Sequence, residues 1–204
     1  MKITNTKNFK KIGVDTLNKD PLVLYFHGVF SDKECDDVIN EDIDYQPCKK
    51  YFNEPKNNNR TSDVGFSEKG ELINSKISKL TNQSINKMEI VEILKYKPGQ
   101  KFNTHPDYLN INEPGIPVEK NDRVATSIAY LNDDFEGGTT IFPKLGIEIK
   151  PQKGSVLYFE YDKKSNRHKT IHSGEEVTKG VKYIAVTCVR GDVFDAYNQN
   201  NEIN

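Results

Sequence analysis

The stretch that decides the fold is 172-HSGEEVTKGVKYIAVTCVR-190, where a strand-like segment runs into a glycine-containing turn and then into a longer strand. Lys182 begins an alternation whose other members are Ile184, Val186 and Cys188. Alternate residues of a strand share one face, so this lysine would lie on an apolar face. A lysine there is costly unless it meets an anion, although it could also reach solvent at the strand end.

Further strands are indicated upstream of this stretch. The segments are 88-MEIVEILKY-96, 123-RVATSIAYL-131, 139-TTIF-142 and 155-SVLYFE-160. They are rich in β-branched and aromatic residues, and clusters of Gly, Pro, Asn and Asp separate them. Helical patterns precede these strands and do not alternate with them. This order argues against Rossmann and TIM folds and predicts an antiparallel double sheet or barrel with flanking helices.

The N-terminal part predicts one buried strand and two supporting helices. The strand is 21-PLVLYF-26, and a capping box from Ser31 to Glu34 begins the first helix. A second helical pattern starts at Ser67. The predicted organisation follows in chain order: a polar lead-in over 1–20, a single domain over 21–194 with helical support over about 31–82 and a β core over about 88–190, and a flexible tail over 195–204.

Composition excludes several classes of function. The 204 residues include 29 Lys and Arg against 30 Asp and Glu, and this balance lacks the cationic character of a dedicated nucleic-acid or anionic-membrane binder. No apolar run is long enough to span a bilayer, and the first residues do not resemble a secretory signal. Three widely spaced cysteines without a CxxC motif suggest reduced thiols. We therefore expect a cytoplasmic protein.

A metal site is the chemistry that the histidines indicate. His105 and Asp107 stand two positions apart, so their side chains would share a face of a strand. By chance alone a chain of this composition would contain about 0.6 such pairs, so the pair is weak evidence by itself. His172 would complete two histidines and one carboxylate on one face of an octahedral ion, the pattern of Fe(II) oxygenases. His168, four residues earlier, stays open as an alternative ligand.

Five ordered motifs carry a resemblance that covers most of the chain. They are YKPGQKFNTHPD (96–107), SIAYLND (127–133), GGTTIFP (137–143), PQKGSVLYF (151–159) and HSGEEVTKGVK (172–182). Together they resemble the catalytic domain of the prolyl 4-hydroxylase family of Fe(II)- and 2-oxoglutarate-dependent dioxygenases. The resemblance implies a mainly β fold with N-terminal helices (α+β), namely a double-stranded β-helix of the jelly-roll type. Gly137, Gly138 and Pro143 are then turn residues of the β-helix without a chemical role.

The resemblance also implies the roles of particular residues. His105, Asp107 and His172 would bind iron, and Lys182 would pair with the C5 carboxylate of 2-oxoglutarate. Tyr130 would add a hydrogen bond to that carboxylate. Tyr96 would lie near the C1 end of the co-substrate or a metal-bound water. The cofactors implied are Fe(II), 2-oxoglutarate and O₂, together with ascorbate as a family reductant.

The substrate implied is a peptidyl proline, and two alternatives stay open. One is the same chemistry on another residue or on a free small molecule, and the other is a non-catalytic β-barrel binding module. Loops over 46–60 and 108–122 are long and polar enough to frame an extended peptide. A free amino acid would instead need a dedicated cation for its carboxylate, for which Arg60, Arg123 and Arg167 are candidates.

Overall fold

The computed structural model describes residues 12–48, 60–109, 122–161 and 165–193. Two helices lie in this part of the chain, α1 (Asp32–Ile39) and α2 (Gly70–Thr81). The strands, in chain order, are β1 (Gly13–Lys19), β2 (Leu22–His27), β3 (Gln46–Pro47), β4 (Asp63–Phe66), β5 (Glu92–Tyr96), β6 (Phe102–His105), β7 (Arg123–Tyr130), β8 (Glu136–Gly137), β9 (Thr140–Phe142), β10 (Ile147–Ile149), β11 (Val156–Glu160), β12 (His172–Gly174), β13 (Val177–Lys179) and β14 (Lys182–Arg190).

The strands form two main sheets. Eight strands make the larger sheet, in the order β1-β2-β11-β7-β14-β5-β4-β3, and four make the smaller one, in the order β10-β9-β12-β6. β8 and β13 pair separately as a short two-stranded sheet. All of these pairs are antiparallel. The predicted double-stranded β-helix with N-terminal helices is confirmed.

The alternation of side chains along β14 explains how three layers pack. Ala185 and Val189 face the helices, where Val38 and Ile77 complete the first hydrophobic cluster. Ile184 belongs to the second cluster, which fills the space between the two sheets. Because neighbouring residues of a strand point to opposite faces, one strand contributes to both cores. The inner face of the larger sheet therefore points toward the smaller sheet, and a site can lie between the two.

The first helix begins with the capping box that the sequence indicates, and the second begins later than predicted. The Ser31 side chain accepts from the Glu34 amide, and the Glu34 carboxylate accepts from the Ser31 amide at 2.8 Å, which completes the capping box. α2 begins at Gly70, later than the predicted Ser67. The carbonyl of Ser67 accepts from the Gly70 amide and its hydroxyl from the Lys69 amide, so Ser67 closes a turn before the helix.

The N-terminal lead-in differs from the prediction. Residues 13–19 form β1, an edge strand that pairs with β2, whereas the sequence predicted a loose segment over 1–20. Nearly all side chains of β1 are exposed, so the strand needs no alternation of apolar and polar residues and the sequence gives no sign of it. The strand is held by its backbone hydrogen bonds. Residues 1–11 and the predicted tail over 195–204 lie outside the described residues, as do 49–59 and 110–121 of the two predicted loops.

Two further expectations concern solubility and thiols. Among the described residues no helix is long and apolar enough to cross a membrane. Cys35, Cys48 and Cys188 all lie in the described part of the chain, and each is a buried free thiol.

Candidate metal and co-substrate site

Two neighbouring strands of the smaller sheet bring three metal-ligating side chains together. His105 is the last residue of β6 and pairs across the ladder with His172, the first residue of β12. Asp107 follows β6 after one intervening proline. The Nε2 atoms of His105 and His172 lie 3.4 and 3.7 Å from the Asp107 carboxylate oxygens. One potential ligand atom from each of the three residues lies within 4.8 Å of the other two, which is close enough for all three to bind a single cation.

Backbone carbonyls fix the orientation of both imidazoles. His105 Nδ1 lies 2.7 Å from the carbonyl oxygen of Asn103, and His172 Nδ1 lies 3.1 Å from that of Thr170. A carbonyl only accepts, so each Nδ1 carries the proton and donates it. Each Nε2 therefore keeps its lone pair, as metal-bound histidines do. This donor set fits a divalent transition metal.

The protonation states of the cluster also suit metal binding. Burial lowers the pKa of His172 to about 4, so this imidazole is neutral near pH 7. Burial would raise the pKa of Asp107, but the two imidazoles and the Thr126 hydroxyl outweigh it and hold that pKa well below its usual range. A neutral histidine and an ionised carboxylate are the forms that bind metals.

A cavity of about 350 Å³ connects this cluster to Lys182. Lys182 begins β14 and is only 3 % exposed. Its ammonium donates to the carbonyl oxygen of Gly138 at 2.5 Å, and within the described residues no carboxylate pairs with it. Burial lowers its pKa to about 7. A buried ammonium without a counter-charge is costly, and the carboxylate of an anionic ligand would supply that charge.

The two predicted tyrosines both lie at the Lys182 end of the cavity. Tyr96 on β5 is the cross-strand partner of Lys182, whose ammonium lies 5.5 Å from the tyrosine ring centroid. The ring of Tyr130 on β7 lies 5.8 Å from the same ammonium. Its hydroxyl bonds to Thr140 Oγ1 at 2.9 Å, and Thr140 lines the cavity. Both tyrosines therefore stand close to Lys182, and the roles assigned to them, Tyr130 at the C5 carboxylate and Tyr96 near the C1 end or a metal-bound water, stay predictions.

His168 does not join the metal cluster. It lies exposed in a short 3₁₀ helix over Arg167–Thr170, and not on a strand face shared with His172. The two histidines would share a face only if the chain were a regular strand from His168 to His172. Because the chain is helical there, the two side chains do not share a face.

Comparisons with known proteins agree with this geometry. The profile described as 2OG-Fe(II) oxygenase superfamily matches residues 91–190. A solved viral collagen prolyl hydroxylase from Paramecium Bursaria Chlorella virus-1, in its 2OG complex, is 33% identical with a TM-score of 0.62, over 82% of this chain and 95% of that one. The chain belongs to the prolyl 4-hydroxylase family of these oxygenases.

Other relatives extend the likeness. A probable prolyl 4-hydroxylase 9 of Arabidopsis thaliana is 26% identical over 92% of this chain and 75% of its own length. A prolyl hydroxylase of Trichoplax adhaerens, solved with a hypoxia inducible factor peptide fragment, is 14% identical with a TM-score of 0.61, over 92% of this chain and 90% of that one. At that identity the second likeness concerns the fold alone.

Sequence reasoning missed Thr126, Tyr161 and Glu89 near the metal cluster, and it named Arg123 only as a possible partner for a substrate carboxylate. Thr126 Oγ1 donates to Asp107 Oδ2 at 2.8 Å, and Tyr161 lies behind Thr126. Arg123 binds Glu89 through two contacts of 2.8 and 2.7 Å, and both residues line the cavity. A signal was available for Thr126, because it stands four residues before Tyr130 and so shares the inward face of β7.

Proposed function

We propose that this chain uses Fe(II) and 2-oxoglutarate to hydroxylate prolyl residues in peptides. The observation that carries the proposal is one cavity holding a two-histidine, one-carboxylate cluster together with a buried ammonium that lacks a carboxylate partner among the described residues. The histidine and carboxylate cluster suits Fe(II), and the buried ammonium suits the far carboxylate of a short diacid. The peptide substrate is supported by the names of the relatives, which are prolyl 4-hydroxylases and a collagen prolyl hydroxylase.

The side chains divide the work between metal and co-substrate. His105, Asp107 and His172 would hold Fe(II), which when bound supplies O₂ activation for oxidative decarboxylation of 2-oxoglutarate coupled to C–H hydroxylation. Lys182 would bind the C5 carboxylate. Tyr130 and Thr140 would flank that carboxylate and help to exclude water from the cavity.

Charge pairing around the cavity favours a peptide over a free amino acid. The three arginines that could receive the carboxylate of free proline each face an internal carboxylate. The pairs are Arg60 with Glu92 at 3.0 Å, Arg123 with Glu89 at 2.7 Å and Arg167 with Asp122 at 3.1 Å. Each of these guanidinium groups already contacts a carboxylate, and that of Glu89 is shared between Arg123 and Arg190, so the carboxylate of a free amino acid would have to compete with an internal partner. A peptide has no such carboxylate at the reacting residue, so it avoids this cost.

The test is turnover by enzyme loaded anaerobically with Fe(II) and 2-oxoglutarate and then exposed to O₂ with proline-rich peptides. We expect succinate and a peptide that gains one oxygen atom on proline, both read by mass spectrometry. Omitting ascorbate from matched reactions tests the implied reductant. Turnover of free L-proline without any peptide turnover would replace the peptide substrate by a small molecule. Iron binding without 2-oxoglutarate consumption would favour the binding-module alternative.

A matched pair of histidine variants tests the metal cluster. His172→Ala should lose iron retention and succinate formation together, because one of three ligands is gone. His168→Ala is the control, since this exposed side chain stands four residues away. Full turnover by His172→Ala would contradict the assignment of the third ligand.

A further inference from the structure

Asp107 has no strand ladder to hold it in place. β6 ends at His105, the last residue paired with β12, and Pro106 has no amide to donate. The carboxylate is nevertheless 14% exposed and oriented toward both imidazoles. An outer group must therefore fix its position, since a ligand beyond the end of a strand lacks the restraint that the ladder gives His172.

That outer group is a chain of two hydroxyls on the inner faces of β7 and the end of β11. Thr126 Oγ1 lies 2.8 Å from Asp107 Oδ2, and Tyr161 Oη lies 2.9 Å from Thr126 Oγ1. Thr126 is 0% exposed and Tyr161 is 2% exposed, so water does not compete for these bonds. Tyr161 follows β11 on the face of Leu157 and Phe159, which packs between the sheets.

The direction of each hydrogen bond follows from proton counting. The Thr126 hydroxyl donates its single proton to Asp107 Oδ2, so it has no second proton to give to another acceptor. Thr126 therefore accepts the proton of the Tyr161 phenol, whose oxygen lies 2.9 Å from Thr126 Oγ1. The Cys188 thiol, 3.6 Å from Thr126 Oγ1, is a weaker neighbour of the same oxygen.

We propose that Tyr161 and Thr126 form a directional relay that positions the Asp107 carboxylate for the metal. The inference rests on the proposed iron site. Thr126 acts directly on the ligand, whereas Tyr161 acts only through Thr126, and neither is a catalytic residue.

The test measures metal affinity without turnover, by titrating Co(II) into the full chain and recording calorimetry and the visible Co(II) spectrum. Thr126→Val removes the hydroxyl at nearly constant volume, and we expect Co(II) affinity to fall about 10- to 100-fold, as for other outer partners of metal ligands. Thr126→Ser keeps the hydroxyl and should stay within about threefold of the wild type. Tyr161→Phe should cost about 2- to 10-fold, the loss of one hydrogen bond.

The double variant Thr126→Val/Tyr161→Phe separates a relay from two independent effects. Because Tyr161 acts through Thr126, the double variant should bind Co(II) no more weakly than Thr126→Val alone. Tyr158→Phe is the matched control, because this buried tyrosine on β11 bonds to Gln83 and Glu160 on the side of the helices. Its Co(II) affinity should be unchanged.

The outcomes distinguish the relay from the proposed function. Wild-type protein that fails to bind Co(II), or binds it equally after Asp107→Ala, would overturn the metal site and the relay with it. Normal Co(II) binding by wild type with unchanged affinity in Tyr161→Phe would overturn the relay alone. Additive losses in the double variant would also overturn it. If Thr126→Val does not fold, Tyr161→Phe and Thr126→Ser decide the question.

Discussion

Lys182 is the residue whose surroundings folding alone does not explain. It is buried, its pKa is lowered to about 7, and its bonding partner is the neutral carbonyl of Gly138. Removing an ammonium from water without a counter-charge opposes folding. A carboxylate beside this ammonium would offset that cost, so under the proposed function Lys182 links the stability of the protein to its co-substrate.

The lowered pKa of Lys182 predicts how 2-oxoglutarate affinity depends on pH. Below pH 7 the ammonium is protonated before and after binding, so affinity is constant. Above pH 7 the free site has lost the proton and the carboxylate restores it, so binding takes up a proton and the apparent Kd rises by up to about tenfold per pH unit. Calorimetry in buffers of different ionisation enthalpy measures that proton uptake.

Lys182→Arg provides the control for this dependence, because a guanidinium stays protonated throughout the range. Whatever its absolute affinity, the variant should show no proton uptake between pH 7 and pH 9. A wild-type Kd that stays constant over the same range would contradict the prediction.

At the scale of residues, the sequence predicted which candidate ligands lie together better than it predicted the side chains that contact them. His105, Asp107, His172 and Lys182 stand in motifs whose order and spacing are specific, and the structure brings all four to one cavity. Thr126 was not predicted: its spacing from Tyr130 indicates an inward-facing side chain, but not which group its hydroxyl would contact. Hydrogen bonds across strands depend on register, which a single chain sequence does not specify.

At the scale of elements, the longer strands were predicted well and the short ones poorly. β7 and β14 lie within predicted segments almost end to end, since their β-branched and aromatic residues face two cores. β1 has no buried face, and β6 ends at a proline after four residues, so neither has a readable alternation. The part of the fold that the sequence misses is held by backbone pairing more than by side-chain burial.

The turn between β8 and β9 has a role that the sequence did not indicate. Gly138 was predicted as a turn residue without chemistry, yet its carbonyl binds Lys182. It has a φ of +65°, and a Cβ there would lie 2.9 Å from Phe135 Cε2 and 3.1 Å from Lys182 Cδ. The lysine stem is therefore packed directly against this turn.

A matched pair of glycine variants tests that packing. Gly138→Ala should raise the KM for 2-oxoglutarate at least about tenfold, because the added methyl group displaces the lysine stem. Gly146→Ala is the control, since Gly146 has nearly the same φ of +64° but nothing within 4 Å of an added Cβ. Both variants carry a similar backbone strain of about 1–2 kcal/mol in the free energy of unfolding. Equal KM values in the two variants would show that the turn does not position Lys182.

At the scale of the whole molecule, the site is built where the two sheets face each other. The helices occupy the outer face of the larger sheet, and its inner face packs against the smaller sheet and against Val177 of β13. The three side chains proposed to bind iron come from the smaller sheet and the residues that directly follow β6, whereas Lys182 comes from the larger sheet. The relative position of the sheets therefore fixes the separation of metal and cation, and with it the length of diacid that fits.

Because the buried ammonium of Lys182 has no counter-charge among the described residues of the free protein, we expect an uncharged residue at this position to increase the stability of the ligand-free protein. Lys182→Met nearly keeps the length of the side chain and removes its charge. We expect the free energy of unfolding, measured with urea at pH 6, to be about 1–4 kcal/mol higher for this variant than for the wild type. The sign follows from the pKa of Lys182, which is about 7 when folded and near 10.5 when unfolded. The free energy of unfolding of the wild type should therefore rise as the pH increases from about 7 towards 10.5. Its difference from that of Lys182→Met should narrow by pH 9.

The same variant should lose the stabilisation that 2-oxoglutarate gives. With Co(II) present, the co-substrate should raise the Tm of the wild type in proportion to ligand concentration and leave that of Lys182→Met nearly unchanged. Gain of stability and loss of ligand response are expected together, because both arise from one buried charge. A Lys182→Met protein that is less stable than wild type at pH 6 would show that the ammonium is already well compensated in the free fold, and would remove the physical reason to place an anion beside it.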